Sequence, residues 1–283
     1  MHPPPEAAPD YLVLGHLTLD QTASGPVLGG TSAYAALTAR AHGLRTAVVT
    51  SAADDIDLSA LTEISVARLP SESTTTFLNL HDGATRQQVL LARAFDLDPL
   101  LVPSGWRSAP LVHLAPVAAE IAPALVDHFP ESALIGVTPQ GWMRRWDGTG
   151  RVGFASWAPA GLAIGQAHAV VVSLEDLGGN EGEVESLAAA CRLLVVTEGA
   201  LGARVYWNGD VRRFAAPPAE QVDPTGAGDI FAASFFIRLH QTQDPWEAAR
   251  YANILAAHSV ARQGIAGVPS ASEVQQASMV WAR

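Results

Sequence analysis

Short apolar runs recur along the chain, and the sequence between them predicts the architecture. Tyr11–Gly15 reads as a first strand. The Ala-rich stretch from Thr31 to His42 reads as a helix, closed by Gly43, a residue type that ends helices in the left-handed conformation. Arg45–Thr50 follows as a buried strand. Beyond Pro110 the runs LVHLAP, ALIGV, AVVVS and LLVVT return at intervals, each followed by helical or loop sequence. This rhythm predicts an α/β fold, a doubly wound, mostly parallel sheet with helices on both faces, in a single domain over 1–283. Helical stretches near 226–240, 245–262 and 271–282 close the chain, the second opened by Asp244 as N-cap with Pro245 in the first turn.

Residues 72–95 have a different texture. TTTFLNL and TRQQVLLA are strand-like and are joined by His81-Asp82-Gly83, and Asp-Gly between such runs is a hairpin signal. An antiparallel element standing apart from the main sheet is predicted. ARVYW, Asn208-Gly209 and VRRF form a second hairpin. The Pro-rich residues 1–10 read as a disordered tail.

Composition narrows the function. Seventeen basic against 28 acidic residues give a net charge of −11, which disfavours nucleic acid as a partner. All 17 basic residues are Arg; the chain has no Lys. That excludes a Walker-A phosphate loop, a Schiff-base lysine and a kinase site built on a strand Lys. Phosphate would have to be held by backbone N–H groups, Arg or metal. The single cysteine, Cys191, lies in an apolar run, excludes an intramolecular disulfide and reads as a buried, inert thiol. The nine histidines show no zinc-ligand spacing. With no apolar run long enough to span a bilayer and no secretory pattern at Met1, a cytoplasmic protein is expected.

The string from Val222 to Asp229, V-D-P-T-G-A-G-D, precedes a helix that is apolar nearly all round. Gly226, Ala227 and Gly228 would open that helix with exposed N–H groups, an anion site that needs no Lys. Asp229, in its first turn, could take a proton from a hydroxyl poised beside the anion. The pattern suits phosphoryl transfer.

This string resembles the signature of the ribokinase-like (PfkB) carbohydrate kinases, close to D-T-x-G-A-G-D. Gly29-Gly30, followed by the Ala-rich helix ending at His42-Gly43, resembles the glycine-pair motif of the same family, and the resemblance covers about residues 11–270. It implies transfer of the γ-phosphate of ATP, with Mg²⁺, to an alcohol under a small β lid formed by about 16–30 and 72–95. Asp229 takes the role of base, and Gly226, Ala227 and Gly228 that of anion hole. Asp20, Gly29, Gly30 and Thr31 would meet the acceptor. Thr31 stands where relatives often carry Lys, and Tyr34 where they carry an amide; Tyr34 could equally be a core aromatic. Ser173, Thr197, Gly199, Thr225 and Asn253 would meet the nucleotide. Asp176 would hold Mg²⁺ through water, with Glu175 as an alternative. Asp223 and Thr225, with carbonyls near Val260 and Gly264, would hold a monovalent cation such as K⁺.

T-P-Q-G-W-M-R, residues 138–144, and A-P-V-A-A-E, ending at Glu120, resemble strings of a branch that includes inositol kinases, which brings Gln140 and Arg144 to the acceptor. The expectation is an ATP-dependent kinase of a small sugar, cyclitol or related polyol, monomeric or homodimeric, without nucleic-acid or membrane partners. A nucleoside kinase, with Tyr34 or Trp142 stacking on a base, and a non-catalytic sugar- or nucleotide-binding regulator are the alternatives.

Overall fold

A computed structural model describes residues 7–279 apart from 24, 83 and 84. Of the predicted tail, residues 1–6 lie outside the described residues, and Asp10 is already tied to the body by its ion pair with Arg45. The chain begins β1 (Tyr11–Leu14), β2 (Thr18–Thr22), β3 (Gly25–Gly29), α1 (Thr31–Ala41), β4 (Thr46–Ala52) and β5 (Ser65–Pro70). It continues through β6 (Thr75–Asp82), β7 (Thr85–Ala92), β8 (Leu111–Leu114), β9 (Leu134–Val137), β10 (Arg144–Trp146) and β11 (Val152–Phe154). The last part runs α2 (Gly161–Gln166), β12 (Ala169–Ser173), α3 (Glu181–Ala190), β13 (Leu193–Thr197), β14 (Ala203–Trp207), β15 (Asp210–Phe214), α4 (Ala227–Thr242), α5 (Pro245–Ser259) and α6 (Ala271–Met279).

Nine strands form the main sheet in the order β15-β14-β13-β12-β9-β8-β1-β4-β5. From β13 to β5 all pairs are parallel, while β14 and β15 are added antiparallel at one edge. The central strands are apolar, apart from His113 in β8, because they are buried on both faces. One face packs under α1, α4 and α5, with Phe231, Phe235 and Phe236 of α4 in that layer. The other packs under α2 and α3 and the turns around Trp106 and Leu125. The predicted doubly wound α/β sheet is thus present. Edge strand β5 and the short β10–β11 pair were not anticipated.

The 72–95 hairpin is β6 and β7; Gly83 of its expected turn lies outside the described residues. With β2 and β3 it builds a separate four-stranded sheet, ordered β3-β2-β6-β7. Among the described residues no helix is long and apolar enough to cross a membrane.

His113, at the middle of the main sheet, is fully buried, and its ring nitrogens bond Tyr11 Oη at 2.8 Å and Thr138 Oγ1 at 2.9 Å. Burial pulls this imidazole down to about 3. The folded protein therefore leaves His113 neutral where the unfolded chain protonates it, near pH ~6.5. Its contribution to stability is complete above that pH and is lost as the pH falls. Urea unfolding between pH 7 and 5 should show stability falling with a slope from this group that steepens to about 1.4 kcal/mol per pH unit by pH 5. His113→Asn should flatten that slope; an unchanged slope would remove His113 as its source.

Candidate active site

Two helix N-termini meet at one end of the molecule. Gly30 precedes α1 at φ 84° and ψ 153°, and a side chain there would press on Thr18 Cγ2 at 2.9 Å. Gly226 precedes α4 in the left-handed conformation, φ 80°. A β-carbon on Gly226 would come within 2.5 Å of the Tyr34 ring, so the glycine is required by both conformation and space. Thr31 Oγ1, at the start of α1, donates to Asp229 Oδ1 in the first turn of α4 at 2.7 Å. This bond joins the two N-termini, and with them the two motifs singled out in the sequence. Ala227 N–H is partly committed to the Pro224 carbonyl at 3.2 Å, so the helix opens one residue later than the string suggested.

Asp20 stands on the other side of the same turn. A β-carbon on Gly29 would collide with its Oδ2, which sets the carboxylate directly over the glycine. Gly29 and Gly30 are thus flanked by Asp20 on one side and, through Thr31, by Asp229 on the other. Tyr34 lies beneath at 2% exposure, packed with Ile230, Tyr251 and Leu255. Burial, then the nearby carboxylates of Asp229, Asp20 and Asp223, hold its phenol well above the usual range, so it stays protonated. Of the two readings offered for Tyr34, the core aromatic is the one the packing supports.

Of the expected nucleotide and metal residues, Ser173, Asp176, Thr197 and Gly199 lie at the carboxyl ends of β12 and β13, where open α/β sheets bind ligands. Ser173 and Thr197 are register partners at the ends of β12 and β13. Ser173 Oγ donates to Asp176 Oδ2 at 2.7 Å, and Gln140 Nε2 donates to Asp176 Oδ1 at 3.2 Å. Gln140, expected at the acceptor, instead orients Asp176. The Asp176 carboxylate is half-buried and held from both oxygens, a hard donor suited to Mg²⁺ through water; Glu175 is exposed. Gly199 turns the chain at φ 58° after β13. Glu198 beside it is buried and paired with Arg204 and Arg213, while Arg204 also pairs with Glu181.

Three of the expected site groups are engaged within the protein. Asn253 is only 4% exposed and donates to the Phe214 carbonyl at 3.0 Å, so it ties α5 to β15 and does not line an open slot. The loop proposed for a monovalent cation is closed by its own hydrogen bonds. Asp223 Oδ1 and Oδ2 accept from Thr225 N and Gly264 N at 2.9 Å each, and the Val260 carbonyl accepts from Val222 and Asp223. These groups hold the 222–225 and 260–264 loops together. Trp142 is buried and its Nε1 donates to the Ile121 carbonyl, which makes it a wall residue and not a stacking platform.

Arg144 lies under the small sheet, its guanidinium 5.5 Å from the Phe77 ring centroid and bonded to the Val117 carbonyl at 3.1 Å. Glu120, 1% exposed, accepts from the N–H groups of His16, Val117 and Ala118 and is a backbone anchor. The His16 ring bonds Thr75 Oγ1 at 2.7 Å and the Phe95 carbonyl at 2.9 Å, pinning the small sheet to the end of β1. Cys191 is half-buried; burial pushes its thiol up to about 12 and keeps it protonated and unreactive at neutral pH. Asn79 and Gln88 escaped the sequence reading. They face Asp20 across the small sheet, and the period-two pattern of TTTFLNL, which aligns Asn79 with Phe77 and Thr75, is the signal that could have found them.

Residues 163–271 match the family model described as pfkB family carbohydrate kinase. An inositol 3-kinase of Zea mays is 32% identical over 150 residues, covering 53% of this chain and 39% of the relative. A cytidine kinase of Thermococcus kodakarensis is 26% identical over 247 residues, 80% of this chain and 87% of the relative. The matches span 39% and 20% of the length of the two plant inositol 3-kinases. Among solved structures, a pyrophosphate-dependent kinase in the ribokinase family, complexed with a pyrophosphate analog and myo-inositol, superposes with a TM-score of 0.80 at 16% identity, covering 94% of this chain and 99% of that one.

Proposed function

We propose that this chain, a member of the PfkB carbohydrate kinase family, transfers the γ-phosphate of ATP to a hydroxyl of a small ring polyol of cyclitol or sugar size. The observation that carries the reading is the joined pair of helix N-termini, with Asp20 over Gly29 and Asp229 bonded to Thr31. One carboxylate accepts hydrogen bonds from acceptor hydroxyls while the other stands within one residue of the anion-binding amides.

In this reading Asp20 and the Gly29-Gly30 backbone orient the acceptor. Asp229 takes the proton of the reacting hydroxyl as its oxygen forms the bond to the γ-phosphorus and the bond to the leaving diphosphate breaks. The first-turn amides of α4 around Gly228 meet the negative charge on the transferring group. Bound Mg²⁺, held through Asp176 as Ser173 and Gln140 orient it, would neutralise phosphate charge. Arg204, which follows β13, is already engaged by Glu181 and Glu198.

The aromatic residues favour a polyol over a nucleoside. Tyr34, Trp142 and Phe77 are 2%, 9% and 3% exposed, and Arg144 lies over Phe77, so none of these rings offers an open face to a base. The test is a donor–acceptor screen of inositols, ribose, fructose, adenosine and cytidine, each with ATP and with pyrophosphate. A phosphorylated cyclitol or sugar made from ATP supports the proposal. Turnover of nucleosides alone, of pyrophosphate alone, or binding without donor consumption overturns the corresponding part of it.

A further inference from the structure

Two loops at the carboxyl end of the main sheet end on one guanidinium. The first, 174–180, leaves β12, carries Asp176 and runs into α3, whose first residue is Glu181. The second, 198–202, leaves β13 and carries Glu198 between Thr197 and Gly199. Arg204, on β14 opposite Val196 of β13, is buried beside them, its side chain 6% exposed. Its Nη1 and Nη2 donate to Glu181 Oε2 and Oε1 at 2.8 Å each, a two-pronged pair. Its Nε lies 2.8 Å from Glu198 Oε1, and Nη1 also donates to Tyr206 Oη at 3.1 Å. All three nitrogens are thus spent, two of them on one loop's end and the third on the other loop. At their base the loops meet once more, where Leu174 N–H donates to the Thr197 carbonyl at 2.9 Å. Each loop holds two glycines at positive φ, Gly178 and Gly179 in the first and Gly199 and Gly202 in the second, so backbone stiffness alone does not fix the outer ends.

Packing does not call for an arginine at this position. Val196, opposite it on the same face, belongs to the apolar layer under α3 with Leu194, Val184 and Leu187. An apolar side chain of similar volume in place of a buried ion cluster is often neutral or stabilising. We infer that Arg204 is a positioning residue for the donor end of the site: it ties the loop that carries Asp176 to the loop that carries Thr197 and Gly199, and so sets the spacing between bound metal and nucleotide phosphates. The inference rests on the reading in which these loops hold Mg²⁺ and ATP, and deepens it. Mg²⁺ tolerates little departure from octahedral geometry at about 2.0–2.1 Å, so a carboxylate that orients its waters must stand at a fixed distance from the phosphates. A lysine could not substitute, because one ammonium cannot present a planar fork to Glu181 and a third nitrogen to Glu198.

The experiment measures ATP binding by calorimetry with and without Mg²⁺, alongside thermal unfolding and the KM of the acceptor. Three proteins are compared with wild type: Glu181→Gln, Arg204→Lys, and the triple variant Arg204→Met, Glu181→Gln, Glu198→Gln, which leaves none of the three charges unpaired. Wild type should bind ATP more tightly with Mg²⁺ than without. In Glu181→Gln, where the altered carboxylate is 56% exposed and the fold is retained, that ratio of affinities should fall by about fivefold or more, the low end of ordinary coupling between two ligands. Arg204→Lys should lower it as well. The triple variant should keep a Tm close to wild type and still lose the ratio. The acceptor KM should stay within about twofold throughout, since the loss is confined to donor binding. A Mg²⁺ ratio unchanged in both Glu181→Gln and the triple variant would overturn the inference, because a purely structural cluster moves Tm and leaves that ratio alone. A wild type that binds no ATP in either condition overturns the ATP reading, and this inference with it, before any variant is compared.

Discussion

Asp229→Asn leaves the protein folded and lowers phosphotransfer by about 10²–10⁴-fold, the range general-base catalysis contributes. The replacement is nearly isosteric, and Asn Oδ1 can still accept from Thr31 Oγ1, so the bond that joins α1 to α4 survives. The amide cannot take the proton of the acceptor hydroxyl. The loss therefore belongs in kcat, with the KM of the acceptor little changed. Thr31→Val, made beside it, removes the donor that fixes the Asp229 rotamer and costs less, about tenfold, the worth of one hydrogen bond to a charged group. Steady-state kinetics with a melting curve for each variant decide the matter. Wild-type turnover in Asp229→Asn removes Asp229 as the base.

Gly226→Ala has the largest expected effect on stability. The left-handed backbone at φ 80° costs a residue with a β-carbon about 1–2 kcal/mol. The new methyl also meets the Tyr34 ring, and overpacking of this kind costs about 1–3 kcal/mol. Together these lower Tm by roughly 5–15 °C for a chain of this size. Either relief, a turn of the backbone or a retreat of the ring, moves the first-turn amides of α4, so turnover falls with stability. Tyr34→Ala by itself opens a core cavity, so the comparison is a double-mutant cycle. A smaller cost of Gly226→Ala in the Tyr34→Ala background than in wild type places that difference in the ring contact; an equal cost in both backgrounds places it in the backbone.

The main sheet could be read from sequence because β1, β8, β9, β12 and β13 are buried on both faces and so appear as short, mostly apolar runs, with His113 the exception inside β8. Edge strand β5, with Arg68 and only partly buried positions, carries no such mark, and β10 and β11 are too short to have a period. The glycines at 29, 30 and 226 could be read for a related reason. Backbone that must pass close to a side chain tolerates almost nothing else, so the constraint is written in residue type. Side-chain roles were less legible. Gln140 was expected at the acceptor, yet its partner Asp176 lies 36 positions away, and no local pattern announces that pair. Asn253 shares a helix face with residues that could line a slot, but which side of α5 faces β15 is decided by packing. The period-two pattern aligns Asn79 with Phe77 and Thr75, but its partner Asp20 comes from 59 positions away, and that pairing has no local signal.

The His16 anchor has a mechanical consequence. The stems by which β6 and β7 join the main body, at Thr75 and Phe95, both end on one imidazole, and that residue's own N–H is fixed by Glu120. β7 has a second attachment: Leu90 N–H donates to the Gly150 carbonyl at 2.8 Å, and Arg151 pairs with Val89 and donates to Gln87 at 2.6 Å. The small sheet is thus held at two separated points, its stems on His16 and its outer strand on the 150–151 turn, and two points of support remove the rotation that a single one would leave.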